Sequence, residues 1–296
     1  MDFRVSMRRN SFKTFYLIFS LFILLSISVT VAGAYIGLPY KTIFPIALLF
    51  SFVSTGLSYW NSDKLVILAT KARVITHEDA PQLFNLVEEI TLSAGLPLPK
   101  IAIVNDPAPN AFATGRNPEN SLIAFTTGIL EKMDREELQG VAAHELSHIK
   151  NYDTLVSTIA AVTAGAIILI SDFFRRILFY SGGRGSKKTN PFQLIALIAV
   201  IILAPIGALL LKSAISRKRE TLADSTAVAI TRNPTGLKNA LIKLRDDSTV
   251  VAADYNALSH LYIESPLENR SNFLGKLFDT HPPIEDRIRN LEEMGG

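Results

Sequence analysis

The sequence predicts a mainly helical α+β chain: a soluble body with a small sheet, attached to four apolar helices. Three observations predict it. Apolar residues make up 48% of the 296 and charged residues only 19%, where an ordinary soluble domain carries roughly 25% charge. The charges are gathered into blocks separated by four long uncharged gaps. Between the gaps helical periodicity dominates, and only two short runs read as strands. Cysteine is absent, which excludes a disulfide framework, a thiol nucleophile, an iron–sulfur cluster and a cysteine-held zinc. Any metal in this chain is held by histidine and carboxylate.

Residues 14–40, 42–62, 154–171 and 189–211 contain no Asp, Glu, Lys or Arg. A bilayer core takes about 20 apolar residues per helix, so membrane spans are expected at about 15–36, 42–60, 154–173 and 191–211. The third gap is the shortest, and a buried core helix is its alternative. Pro45 and Pro205 lie inside the second and fourth gaps, where bilayer helices tolerate them. Ala32-Gly33-Ala34 has the small-residue spacing of a signal-peptide site. The apolar run before it is longer than a signal peptide's and a second one follows at once, so an uncleaved hairpin is expected.

Residues 1–14 carry Arg4, Arg8, Arg9 and Lys13 against Asp2, which places the N-terminus in the cytoplasm. Two crossings return the chain there at Trp60, which with Tyr59 suits the membrane interface. Arg175, Arg176, Arg184, Lys187 and Lys188 lie between the third and fourth gaps. A second spanning hairpin puts them outside, against the charge rule; a shallow hairpin is the alternative. The expected organisation is therefore a membrane hairpin in 1–60, soluble parts in 61–153 and 212–296, and a second hairpin in 154–211. The net charge of +3 is spread without a basic stripe on one face, so no nucleic-acid partner is expected.

In the first soluble part a helix is expected from Pro81 to a stop at Gly95, with Leu83, Phe84, Val87 and Ile90 on one face. Residues 101–104 and 121–126 read as strands, with a loop at 105–109 between them. Asp134 and Glu137 have the spacing of a capping box, so a helix starts at Arg135. Its stripe is Leu138, Val141, Ala142, Leu146 and Ile149. Gly140 inside it costs about 1 kcal/mol relative to alanine. Further helices are expected near 214–231, 236–245 and 284–293.

The capped helix contains His144-Glu145-Leu146-Ser147-His148. A spacing of four stacks both imidazoles on one face, where they can share one ion. Glu145, turned about 100° from His144, can reach the open side of that ion. Zinc held by three protein ligands acidifies its water, and a neighbouring carboxylate can move the proton. Downstream, Glu220 and Asp224 stand one helical turn apart. Glu220 can complete the coordination, and Asp224 can accept the second N–H of His144. All of them must meet on one side of the membrane, so the intervening 154–211 crosses an even number of times.

At these residues the chain resembles the HtpX-type membrane zinc endopeptidases, relatives of the CAAX prenyl proteases. The resemblance rests on Asn110-Ala111-Phe112-Ala113-Thr114-Gly115, on Thr126-Thr127-Gly128, and on His144 to His148. It continues through Ser216-Arg217-Lys218-Arg219-Glu220 with Ala223-Asp224, and His281-Pro282-Pro283 with Arg287-Ile288. It implies a zincin-like catalytic domain on four membrane helices in the cytoplasmic membrane, facing the cytoplasm. It implies one zinc ion on His144, His148 and Glu220, Glu145 as catalytic base, and polypeptide substrates, namely misfolded or damaged membrane proteins. Thr221 departs from the family, which has an aromatic residue there. Asn110 is a candidate for the substrate cleft, His281 for oxyanion or ligand support, and Arg287 for support behind the ligands or in the cleft, a structural ion pair being its alternative. An extended substrate is expected to add to an open edge of the 121–126 strand. The alternatives are prenyl-protein processing and a non-hydrolytic client-binding protein with a structural zinc. A transporter would need ionisable groups inside its spans.

Overall fold

The computed structural model describes residues 3–35, 37–155, 217–247, 249 and 283–295. Two helices open the chain, α1 (Phe3–Tyr35) and α2 (Tyr40–Trp60), joined through residues 36–39 and packed against each other. Gly33 lets them approach: a Cβ there would come within 2.2 Å of the Ile43 side chain. Among the described residues one stretch, Tyr40–Leu57, is long and apolar enough to cross a membrane, judged by length and composition. Ile18–Ala34 is a shorter apolar run. Of the four expected membrane helices, the segments at 154–173 and 191–211 lie outside the described residues beyond Leu155, as does the basic loop between them.

The body begins with α3 (Ser62–Thr70), β1 (Arg73–Ile75) and α4 (Pro81–Ala94). The first two were not anticipated; β1 has three residues, two of them exposed, and offers no alternation to read. α4 starts on Pro81 and stops at Gly95, whose φ of 68° is the left-handed cap that glycine takes without strain. Next come β2 (Lys100–Val104), β3 (Ala111–Asn117), β4 (Asn120–Thr126), α5 (Thr127–Lys132) and α6 (Arg135–Lys150). Beyond the second expected hairpin, 154–211, lie α7 (Arg217–Thr231), α8 (Pro234–Asp246) and α9 (Ile284–Gly295).

The sheet order is β1-β2-β4-β3. β2 and β4 are parallel, with Ile101 opposite Ile123; the outer pairings are antiparallel, with Phe112 opposite Ala124. Strand β3 corrects the sequence reading, which left 110–115 without an element. Its side chains from Ala111 to Thr114 are all buried, so both faces are covered and no polar alternation marks them. A second correction follows from the strand order. The 121–126 strand is interior, with both edges hydrogen-bonded, so no peptide can add to it; the sheet's outer strands are β1 and β3.

Alternation along the strands splits the core in two. Ile101, Ala111, Ala113, Ile123 and Phe125 face α4, α6 and the C-terminal helices. Ala102, Val104, Phe112, Leu122 and Ala124 face the other way and are covered by Val66 of α3. Helix α6 is central, packed on β3, α4, α7 and α8. Gly140 is placed where α6 crosses α8: a Cβ there would come within 2.5 Å of the Leu237 backbone nitrogen. The residue that weakens the helix locally is the one that lets two backbones touch.

Candidate active site

Helix α6 is started by the capping box expected from sequence. The Asp134 carboxylate accepts the Glu137 N–H, and Glu137 accepts the Asp134 N–H in return. Glu137 is itself buried and takes the Lys243 ammonium of α8 at 2.6 Å. With its start pinned and its whole apolar stripe buried, α6 delivers His144, Glu145 and His148 at fixed heights.

The two imidazoles stand edge to face, their ring centroids 4.8 Å apart. Their Nε2 atoms are 3.2 Å from each other. Glu220, from the first turn of α7, brings its carboxylate to 3.5 Å from His144 Nε2 and 3.6 Å from His148 Nε2. Metal–ligand bonds of about 2.1 Å at a tetrahedral ion imply ligand–ligand spacings near 3.4 Å. The imidazole pair and the two carboxylate contacts, made by different oxygens (Oε2 toward His144, Oε1 toward His148), fall near that value, so the three side chains can converge on one ion. Two histidines and one carboxylate are also the donor set of a catalytic site, which leaves a fourth position for water. Among the described residues this is the one triad of potential metal ligands that converges.

Each histidine is oriented from behind. His144 Nδ1 donates to Asp224 Oδ1 at 2.9 Å, which turns Nε2 toward Glu220. Asp224 is held in turn by Arg287 of α9, whose Nε and terminal nitrogen lie 3.0 and 2.7 Å from its two oxygens. That guanidinium is also 3.4 Å from both nitrogens of the His144 ring. All three groups are buried. His148 has a parallel arrangement: Nδ1 faces Asp153 Oδ2 at 3.4 Å, and Asp153 Oδ1 lies 3.6 Å from Arg219 of α7. Asp224 thus stands behind His144, and Arg287 pairs with Asp224. Asp153 and Arg219 were missed. Asp153 follows His148 by five residues and lies beyond the helix end, so helical spacing does not signal it. The left-handed Tyr152, with φ of 57°, turns the chain back and returns Asp153 to the site.

The charges reinforce one another. Burial alone would lower His148, but Glu220, Asp153 and Glu145 outweigh it and hold the imidazole up to about 9. His144 is also raised: burial and Arg287 oppose protonation, and Asp224 and Glu220 prevail. Burial would raise Asp224, yet Arg287 and His144 bring it down to about 2. Arg287 is held firmly charged: burial works against it, and Asp224, Glu220 and Glu145 overcome that. Such a carboxylate-rich pocket draws in positive charge. Glu145 is buried on α6, close enough to influence both His148 and Arg287.

Other expected residues fall differently. Asn110 is buried, and its side-chain oxygen accepts the Ala111 N–H while Thr126 holds its backbone. Thr221 is exposed on α7. His77 is an exposed residue hydrogen-bonded to Asn85 at 2.9 Å. His281 and His260 lie outside the described residues.

A buried His-Glu-x-x-His helix facing a glutamate on a second helix defines the class of protein as a metallopeptidase. Residues 77–295 match peptidase family M48, and the chain belongs to that family. It is a metalloendopeptidase. Its relatives include the protease HtpX homologs of Tropheryma whipplei (strain Twist), 40% identical over 97% of both chains, and of Lactobacillus acidophilus, 43% identical over 97% of this chain and 98% of that one. The homolog from Pelotomaculum thermopropionicum is 44% identical over 84% of this chain and 89% of that one. The fold also resembles a crystal structure of S. mikatae Ste24p, with a TM-score of 0.51 and 19% identity, covering 97% of this chain and 66% of the other.

Proposed function

We propose that the protein is a zinc-dependent, multi-pass endopeptidase of the cytoplasmic membrane. Its catalytic body faces the cytoplasm, and it cleaves misfolded or damaged membrane proteins. The observation that carries the reading is the convergence of His144, His148 and Glu220 within 4.8 Å. The apolar helix α2, the basic N-terminus and the likeness to HtpX homologs support the location and the substrate class.

Zinc is the ion best suited to this set, and when bound it supplies a Lewis acid that polarises a carbonyl and acidifies water. The rest is done by the chain. Glu145 takes a proton from the attacking water and delivers it to the leaving amine. Asp224 and Asp153 accept from the two Nδ1 positions, keeping both Nε2 lone pairs aimed at one point. Arg287 holds the Asp224 carboxylate ionised, so that it acts as an acceptor, and Arg219 stands 3.6 Å behind Asp153. The apolar core around α6 keeps bulk water from the ligands' rear.

The test is Glu145→Gln, which keeps the size and hydrogen-bonding reach of the side chain but cannot accept the proton. Metal content is expected to stay at one ion per chain while casein cleavage falls by about a hundredfold or more. Cleavage that persists at the native rate overturns the role of Glu145. His144→Ala is expected to lose both metal and activity, whereas Glu145→Gln loses activity alone, which separates metal binding from proton transfer.

A further inference from the structure

We propose that the foot of α2 carries a binding site for the phosphodiester headgroup of an anionic phospholipid, separate from the metal centre. It rests on the membrane reading above and not on the peptidase chemistry. A cavity of ≈ 200 Å³ is lined by Trp60, Asp63, Lys64, Lys100, Arg116 and Asn120. Five elements build it: Trp60 closes α2, Asp63 and Lys64 open α3, Lys100 starts β2, and Arg116 of β3 and Asn120 of β4 flank the turn between those strands. Chain segments distant in sequence thus deliver three cations to the end of the apolar helix.

The single carboxylate, Asp63, is already neutralised by Lys100 at 3.2 Å. Lys64 and Arg116 have no carboxylate within ion-pair distance among the described residues. Arg116 is held in place by Trp60: its guanidinium carbon lies 4.8 Å from the indole centroid, and it donates to the Trp60 carbonyl at 3.1 Å. A net positive pocket with a pre-positioned guanidinium suits a phosphate. Asn120 adds an amide for the polar part of a headgroup.

The source of that phosphate is indicated by what adjoins the pocket. From Trp60 an exposed apolar stripe runs up α2 through Leu57, Val53, Phe50 and Ile46, each between 48% and 62% exposed. Steps of three and four residues keep these side chains on one helical face. The 14 steps from Ile46 to Trp60 rise about 21 Å at 1.5 Å per residue, which matches an extended acyl chain. A soluble phosphate would use the pocket and leave the stripe untouched. Tryptophan beside basic residues is also what the headgroup level of a membrane selects.

Trp60 is the only tryptophan in the chain, so its emission reports on the site. The full-length Glu145→Gln protein is placed in nanodiscs of phosphatidylcholine with increasing phosphatidylglycerol. A saturable change in emission is expected with phosphatidylglycerol and not with phosphatidylcholine alone. Lys64→Gln, at an exposed position, is expected to raise the phosphatidylglycerol midpoint about fivefold, and Arg116→Gln in addition by about the same factor. Bound metal, measured on each variant, is expected to be unchanged, which separates this site from the peptidase centre. Equal responses to the two lipids, or an unshifted midpoint in both variants, overturn the proposal. Inorganic phosphate added to neutral detergent micelles is the second arm. Saturation by phosphate together with no phosphatidylglycerol response assigns the pocket to a free anion and overturns the lipid reading. Failure of the protein to enter nanodiscs at all overturns the membrane reading on which the site rests.

Discussion

At the scale of single residues, the site is organised as two histidine–aspartate–arginine series that converge on one point. His144 is backed by Asp224 and Arg287, and His148 by Asp153 and Arg219. The first is tighter and more buried, and the second has longer contacts. Asp153→Asn is therefore expected to weaken zinc affinity about tenfold, and Asp224→Asn closer to a hundredfold, as measured by chelator competition. Equal metal affinity in Asp153→Asn and native protein would remove Asp153 from its positioning role. Arg287→Ala leaves a buried carboxylate without its main counter-charge and is expected to cost about 3–5 kcal/mol of stability. The same pair sets an acid dependence. Asp224 is held at about 2 in the folded chain, below its ordinary 3.8. Its contribution is complete above the ordinary value and is lost as pH falls through about 2. Thermal unfolding of chelated Glu145→Gln protein should weaken between those limits, and less so when Asp224→Asn is added. An identical pH dependence with and without Asp224 would refute the linkage.

At the scale of elements, α6 is the axis on which the site depends. Its start is held by the Asp134–Glu137 box and by Lys243, and its flank lies against α8 at Gly140. Helix propensity alone says that Gly140→Ala should stabilise by about 1 kcal/mol. The 2.5 Å approach to the Leu237 backbone says the opposite. Gly140→Ala is expected to lower the melting temperature and to weaken metal binding together, because α8 must move and α6 with it. A higher melting temperature would show that the contact yields at no cost. The elements legible in sequence were those with strong local signals: Pro81 and Gly95 around α4, and the capping box and apolar stripe of α6. The missed ones, α3, β1, β3 and α5, either are short or are buried on both sides. For β3 the cause is specific, since Phe112 and Thr114 are as buried as Ala111 and Ala113 and alternation has no contrast to show.

At the scale of the whole molecule, the metal site joins helices from both sides of the long apolar region at 154–211. Glu220, Asp224 and Arg287 all reach α6 from beyond it. In the proposed multi-pass arrangement the two soluble parts therefore stand on one face of the membrane. The absence of cysteine makes this testable without background labelling. Glu78→Cys, exposed on the body, is expected to react with a membrane-impermeant maleimide only after cells are opened. Leu38→Cys, exposed in the α1–α2 connection, should react from outside. Labelling of Glu78→Cys in intact cells would reverse the proposed orientation.

The sequence by itself determined the kind of chemistry. His144, Glu145 and His148 are linked by helical spacing, and that spacing is a local property that needs no partner. Glu220 and Asp224 could be paired to them for the same reason, one turn apart on a second helix. Only the tertiary structure brought Asp153 round the left-handed Tyr152 to His148, joined Arg287 to Asp224, and put the 121–126 strand inside the sheet. Those outcomes depend on turns and on packing between segments far apart in the chain, and neither leaves a periodic trace in the order of residues.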